Sequence, residues 1–190
     1  MAISLIVGLG NPGINYSKHR HNVGFWFLDL LAASEKLGFK LETKFAANIC
    51  NITINNKIIL LKPNVFMNNS GTSVRNIANF YKINLNQILV VHDDLDLDVG
   101  VVKIKKGGGH GGHNGLRDII NKLASNDFYR LRIGIGHPGD SKKVTNYVLN
   151  KPNKTEKIMI DNVIARSLTI IDDIVSSDFE KVMNILHSPV

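Results

Sequence analysis

The chain has 190 residues, 44% of them hydrophobic, and a formal net charge of +7 from 23 Lys/Arg against 16 Asp/Glu. That length suits one domain with a core large enough to stand without staples, and Cys50, the single cysteine, excludes an intrachain disulfide. No stretch reaches the roughly 18 uninterrupted apolar residues of a membrane span and no basic segment precedes an apolar leader, so we expect a soluble cytoplasmic protein whose thiol is reduced and packed.

The first strand-length apolar run, 3–8, passes directly into Gly8-Leu9-Gly10-Asn11-Pro12-Gly13, a G-x-G-x-x-G string. A dinucleotide fold would follow it at once with a helix and place an acid about 20 residues on at a strand end. The residues after Gly13 lack helical periodicity, Pro12 removes a backbone donor, and Asp29 falls inside a helical stripe, so the cofactor reading fails. The loop instead presents the carboxamide of Asn11 at the carboxyl edge of the first strand, where open α/β sheets bind ligands. Val23, Trp26, Phe27, Leu30 and Leu31 then recur at helical spacing, with Asn22 as N-cap and Gly38 as stop. Runs at 48–54 and 57–62, separated by Asn55-Asn56, form a hairpin.

Phe66-Met67-Asn68-Asn69-Ser70-Gly71 leads into a helix predicted over 74–81, with Ser70 as a cap. The strand 88–92 runs into His92-Asp93-Asp94-Leu95-Asp96-Leu97-Asp98, a cluster of carboxylates of which Asp93 is the first. Strand 101–105 places Lys103 and Lys105 on one face, and the glycine-rich segment with His110, His113 and Asn114 precedes a helix over 116–123. Arg130 and Arg132 share a face of the strand around 131–135, and this pair together with Lys103 and Lys105 could grip phosphates as fork and point charge. The stretch 136–153, with Pro138, Gly139 and Pro152, reads as a surface loop, and helices are predicted over about 155–175 and 179–187. Strands interleaved with helices and one hairpin predict an α/β fold: a single domain, 1–190, with a mixed, mostly parallel central sheet flanked by helices.

Charge is unevenly spread. Residues 101–154 hold 11 Lys/Arg against three Asp/Glu, whereas 155–190 hold three against six. The basic segment suits a polyanion, and the carboxamides of Asn11, Asn68 and Asn114 suit an amide- or base-like ligand. Either His21 or His19 could meet Asp93 as an oriented base. No G-x-S-x-G elbow occurs and Cys50 lies in a strand, so the remaining chemistry is water activated by histidine. A metal-dependent hydrolase using His110, His113 and Asp93, and a non-catalytic nucleic-acid-binding module, stand as alternatives.

The order VGLGNPG, Tyr16, Arg20-His21-Asn22, Phe66-Met67-Asn68-x-Ser70-Gly71, His92-Asp93-x-Leu95-Asp96, GGGHGGHNG and Arg132-x-Gly134-Ile135-Gly136-His137-Pro138-Gly139 resembles the bacterial-type peptidyl-tRNA hydrolases across residues 3–150. Beyond Lys151 the likeness is only in helical pattern. The resemblance implies a monomeric enzyme without cofactor or metal that cleaves the ester between a stalled peptide and the 3′ end of tRNA. By the family's pattern His21 is the general base, Asp93 orients it, and Asn11 positions the peptide end and distinguishes blocked from free aminoacyl groups. Tyr16, Phe66, Asn68 and Asn114 would line the cleft for the tRNA terminus, and Lys105 with Arg132 would clamp the 5′ phosphate. Two departures are small: Asp94 stands where Glu is common, and His19 stands beside the motif histidine.

Overall fold

The structure is a computed structural model and describes residues 2–187. In chain order its elements are β1 (Leu5–Gly8), α1 (Val23–Ser34), β2 (Lys40–Glu42), β3 (Ala47–Ile54), β4 (Asn56–Pro63), α2 (Ser70–Tyr81), β5 (Ile88–Asp94), β6 (Val102–Lys106), α3 (Asn114–Leu123), β7 (Tyr129–Gly134), α4 (Val144–Val148), α5 (Lys154–Leu168), α6 (Ile171–Ser176) and α7 (Phe179–Leu186). The strands form one sheet in the order β2-β3-β4-β1-β5-β7-β6. The pairings β1 with β4, β1 with β5 and β5 with β7 are parallel, and only β3 and β6 run against the common direction. The mixed, mostly parallel sheet of an α/β domain is therefore present.

Near-continuous apolar strands arise because both faces of the sheet are covered. In β5, Leu89 and Val91 face a layer built by Val23, Phe27 and Leu31 of α1 and Ile160, Val163 and Ile164 of α5. Ile88 and Val90 face the opposite layer, built by Val74 and Ile77 of α2 and Leu116 and Ile119 of α3. Phe27 is fully buried and alone contributes roughly 1.5–3 kcal/mol through area removed from water. Among the described residues no helix is long and apolar enough to cross a membrane.

Several sequence expectations need correction. α1 ends at Ser34 rather than near Gly38, because Lys36 adopts a left-handed φ of 55° while Lys36 N–H and Leu37 N–H bond back to Ala33 and Ala32. Leu30, assigned to the buried stripe, is 44% exposed, and Leu28 packs inward in its place. The predicted helix over 155–175 is broken into α5 and α6, with the Thr169 hydroxyl donating to the Arg166 carbonyl at the break. The 136–153 loop contains α4, and the short edge strand β2 lacks the apolar alternation that would reveal it. Only Asn55 of the Asn55-Asn56 pair takes positive φ, at 56°. Cys50 is free and buried, as expected.

Candidate active site

The site lies at the carboxyl ends of β1 and β5, which pair in parallel as neighbours. Glycine makes the approach possible. A Cβ on Gly8 would meet the Gly24 carbonyl at 2.3 Å, and one on Gly24 would meet both Leu9 N and Val91 O at 2.4 Å. The first turn of α1 thus rests directly on the strand ends, and the 3-10 turn before it, Arg20–Asn22, carries His21 over β5.

Asn22 occupies the N-cap position of α1 but makes no capping bond there. Its side chain holds Asn11 instead: Asn11 N–H donates to Asn22 Oδ1 and Asn22 Nδ2 donates to the Asn11 carbonyl, both at 2.9 Å. Met67 N–H donates to Asn11 Oδ1 at 2.8 Å, which fixes the carboxamide orientation and leaves Nδ2 as its remaining donor. Ser70 proves to be the first residue of α2 rather than its cap, and its hydroxyl donates to the Met67 carbonyl.

His21 and Asp93 are buried, and His21 Nδ1 lies 2.9 Å from each Asp93 oxygen. A second imidazole completes the group. His113 Nδ1 accepts from Gly115 N–H and Leu116 N–H as the N-cap of α3, so its proton sits on Nε2, which donates to Asp93 Oδ1 at 2.9 Å. Burial opposes charge on His21, but attraction and hydrogen bonding by Asp93 outweigh it and raise the imidazole pKa. For Asp93, burial would raise the carboxyl pKa, and His21 and His113 together hold it well below the ordinary range. His92 is pushed down to about 3 by burial and by His113, and its Nδ1 donates to the Asp93 carbonyl, so it stays neutral.

His21, Asp93 and His113 are close enough for a metal, their ligand atoms lying within 4.8 Å of one another. The donor set does not fit one, since His113 would have to offer Nε2 while Nδ1 still accepts from the helix, which requires an imidazolate. His110, considered above as a ligand, is not in this group and accepts from Gly112 N–H. His19 is also elsewhere, edge-on to the Tyr16 ring at 5.5 Å in a separate shallow groove with Lys18 and Asn150.

One cleft of about 740 Å³ gathers the sequence candidates. Asn11, His21 and Asp93 lie at its floor, while Asn68, Asn114 and Phe66 line it as exposed side chains. Tyr16 packs edge-on to Phe66 at 5.8 Å. Lys105 and Arg132 line the same cleft from β6 and β7. Arg130, expected to share in phosphate contact, is instead buried and donates to the Gly108 and Gly109 carbonyls at 2.5 and 2.6 Å. The opposite wall comes from the region of α4, through Val144, Val148 and Leu149.

That wall is fastened by Arg20 to the turn that carries His21. Its Nη1 donates to the carbonyls of Tyr147, Asn150 and Lys151 at 3.2, 3.3 and 3.1 Å, and Nη2 meets Glu156 at 2.7 Å. The guanidinium also lies 4.0 Å over the Tyr147 ring. Nothing in the local sequence pattern connects Arg20 with residues 127 to 136 positions away. Likewise, the dual use of His113 was hidden because one nitrogen answers to a helix and the other to a strand.

A model of the family described as "Peptidyl-tRNA hydrolase" matches residues 5–190. The chain belongs to the peptidyl-tRNA hydrolase family. A curated peptidyl-tRNA hydrolase from Ruthia magnifica subsp. Calyptogena magnifica is 54% identical over 189 residues, 99% of each chain. One from Neisseria gonorrhoeae is 51% identical over 187 residues, covering 98% of this chain and 97% of that one. The crystal structure of peptidyl-tRNA hydrolase from Acinetobacter baumannii matches with a TM-score of 0.95 and 43% identity, covering 98% of this chain and 95% of that one. The family match runs through the segment after Lys151, which the motifs alone left as merely helical. In this chain that segment supplies Glu156 to Arg20 and Ile160 and Ile164 to the core.

Proposed function

We propose that the chain hydrolyses the ester joining a peptide, or another N-blocked aminoacyl group, to the 3′ end of tRNA, so that tRNA from stalled or dropped-off peptidyl-tRNA is recycled. The observation that carries this reading is the buried His21–Asp93 pair, with Nδ1 2.9 Å from both carboxylate oxygens. A proton shared at Nδ1 leaves the Nε2 lone pair as a general base. Nε2 takes a proton from water as its oxygen attacks the ester carbonyl, and the imidazolium returns that proton to the ribose oxygen as the C–O bond breaks. The Asp93 carboxylate raises the His21 pKa against the effect of burial and so strengthens the imidazole as a base.

Asn11, with Oδ1 engaged by Met67 N–H, offers Nδ2 to an oxygen of the peptide end. This donor gives a route by which blocked and free aminoacyl groups are told apart, through placement of the first peptide unit. Tyr16 and Phe66 offer faces for stacking, and Asn68 and Asn114 offer paired donors and acceptors for the tRNA terminus and first peptide units. Lys105 and Arg132 clamp the 5′ phosphate, as point charge and fork. No metal or cofactor enters the reaction, since an ester needs one oriented base and a few donors. Residues 1–190 act as one peptidyl-tRNA hydrolase domain, a cytoplasmic monomer with tRNA as its macromolecular partner.

The test is incubation of the full chain with N-blocked and with free aminoacyl-tRNA in the presence of a chelator, following ester cleavage. Cleavage of the blocked form alone is expected. Activity lost on chelation and restored by a divalent metal would overturn the metal-independent mechanism, and binding without cleavage would favour a tRNA-binding module.

A further inference from the structure

The face shared by β6 and β7 gathers more cations than it neutralises. Register places Lys103 opposite Arg132 and Lys105 opposite Arg130. Arg130 is buried, yet its Nη atoms reach only the neutral carbonyls of Gly108 and Gly109, with the Phe128 ring 5.0 Å away. Burial lowers the Lys105 pKa, and Arg132 and Arg130 lower it further. One carboxylate bonds directly to this group. Asp94 Oδ2 accepts from Arg132 Nε at 2.7 Å, while Oδ1 accepts from Asp96 N–H at 2.9 Å. The Arg132 and Asp94 side chains are 18% and 12% exposed, so their attraction is little screened.

We infer that Asp94 is a positioning residue that sets the Arg132 guanidinium for a terminal phosphate monoester. The inference rests on the phosphate-clamp reading above and adds what makes the clamp selective. A carboxylate pinned by Asp96 N–H fixes the guanidinium plane through Nε. No hydrogen bond among the described residues takes the Nη atoms of Arg132, which lines the cleft and thus keeps a two-point fork for phosphate oxygens. Charge points the same way. Lys105, Arg130 and Arg132 against Asp94 leave about +2, with Lys103 and exposed Asp96 cancelling at the margin, and this complements a monoester of about −1.5 to −2 better than a singly charged backbone phosphodiester.

The experiment compares kcat/KM for N-blocked aminoacyl-tRNA carrying a 5′ phosphate with that for the same tRNA dephosphorylated to a 5′ hydroxyl. The unaltered chain prefers the phosphate form. Asp94→Asn is expected to lower that preference roughly tenfold, through KM, because an oriented charge-assisted contact is lost. Asp94→Glu restores most of it, and Arg132→Lys, which keeps charge but has neither Nε nor fork, loses it as Asp94→Asn does. A preference unchanged in Asp94→Asn, or an equal loss with both substrates, overturns the inference while leaving the clamp standing. No preference in the unaltered chain overturns the clamp, and the inference with it. Should Asp94→Asn fail to fold, an unaltered preference in Arg132→Lys overturns the inference.

Discussion

His113 Nε2 donates to Asp93 Oδ1 at 2.9 Å, so the carboxylate that orients His21 is shared between two imidazoles. Sharing moderates the pull of Asp93 on His21. In His113→Ala the carboxylate serves His21 alone, the His21 pKa rises further, and the acid limb of the activity profile moves to higher pH. Loss of the α3 cap lowers stability by about 1 kcal/mol. A pH profile of kcat/KM with chemical denaturation checks both, and a limb that stays in place would refute the sharing.

Asp93→Asn works in the opposite direction. Burial lowers the His21 pKa, and the Asp93 charge is what reverses that effect. With the charge gone, the His21 pKa falls and the acid limb moves to lower pH. Activity at the plateau falls by at least about 100-fold, because a carboxamide has one acceptor oxygen for two N–H donors. An acid limb that keeps its position would show that another group titrates.

Replacement of His21 by Ala should abolish ester cleavage while tRNA binding persists. His19→Ala should retain cleavage, since its ring packs against Tyr16 and forms no bond to Asp93. Activity kept in the first variant and lost in the second would reassign the base.

Lys105→Ala and Arg132→Ala should weaken tRNA binding and flatten its salt dependence. Each phosphate contact removed should reduce the slope of log K against log[salt] by roughly 0.7–0.9. Binding isotherms at several salt concentrations decide the matter, and an unchanged slope with weaker binding would place these residues away from phosphate.

Gly24→Ala forces a methyl group to within 2.4 Å of Leu9 N and Val91 O. The helix must lift from the strand ends, at a cost of about 1–3 kcal/mol or more, and His21 moves with it. Thermal unfolding and kcat should fall together. A variant as stable as the unaltered chain would show that the contact relaxes freely.

The fold was legible where burial imposed a pattern: the strand β5, with apolar side chains on both faces, and the paired runs of β3 and β4 could be read from apolar runs and an Asn turn. β2 was not, because an exposed edge strand of Lys40–Glu42 carries no apolar signature. The candidate site was legible as a set of residue types, and all nine candidates line one cleft. Its internal wiring was not. Asn22 reads as a helix cap and holds Asn11, and Arg130 reads as a phosphate ligand and tethers glycine carbonyls, because each partner lies on a segment distant in sequence. Composition assigns a side chain its chemistry, whereas tertiary contact decides which bond it spends that chemistry on.

The tether from Arg20 to the carbonyls of Tyr147, Asn150 and Lys151 and to Glu156 has a consequence during synthesis. An emerging chain that has reached Arg132 already contains every proposed catalytic and binding side chain, but none of the groups that hold Arg20, the neighbour of His21. On the proposed reading the site is therefore completed late in translation, with the segment around α4 and α5. While it is being made, this protein is itself a peptide esterified to tRNA, and the order in which its parts leave the ribosome delays assembly of a centre proposed to cut that linkage.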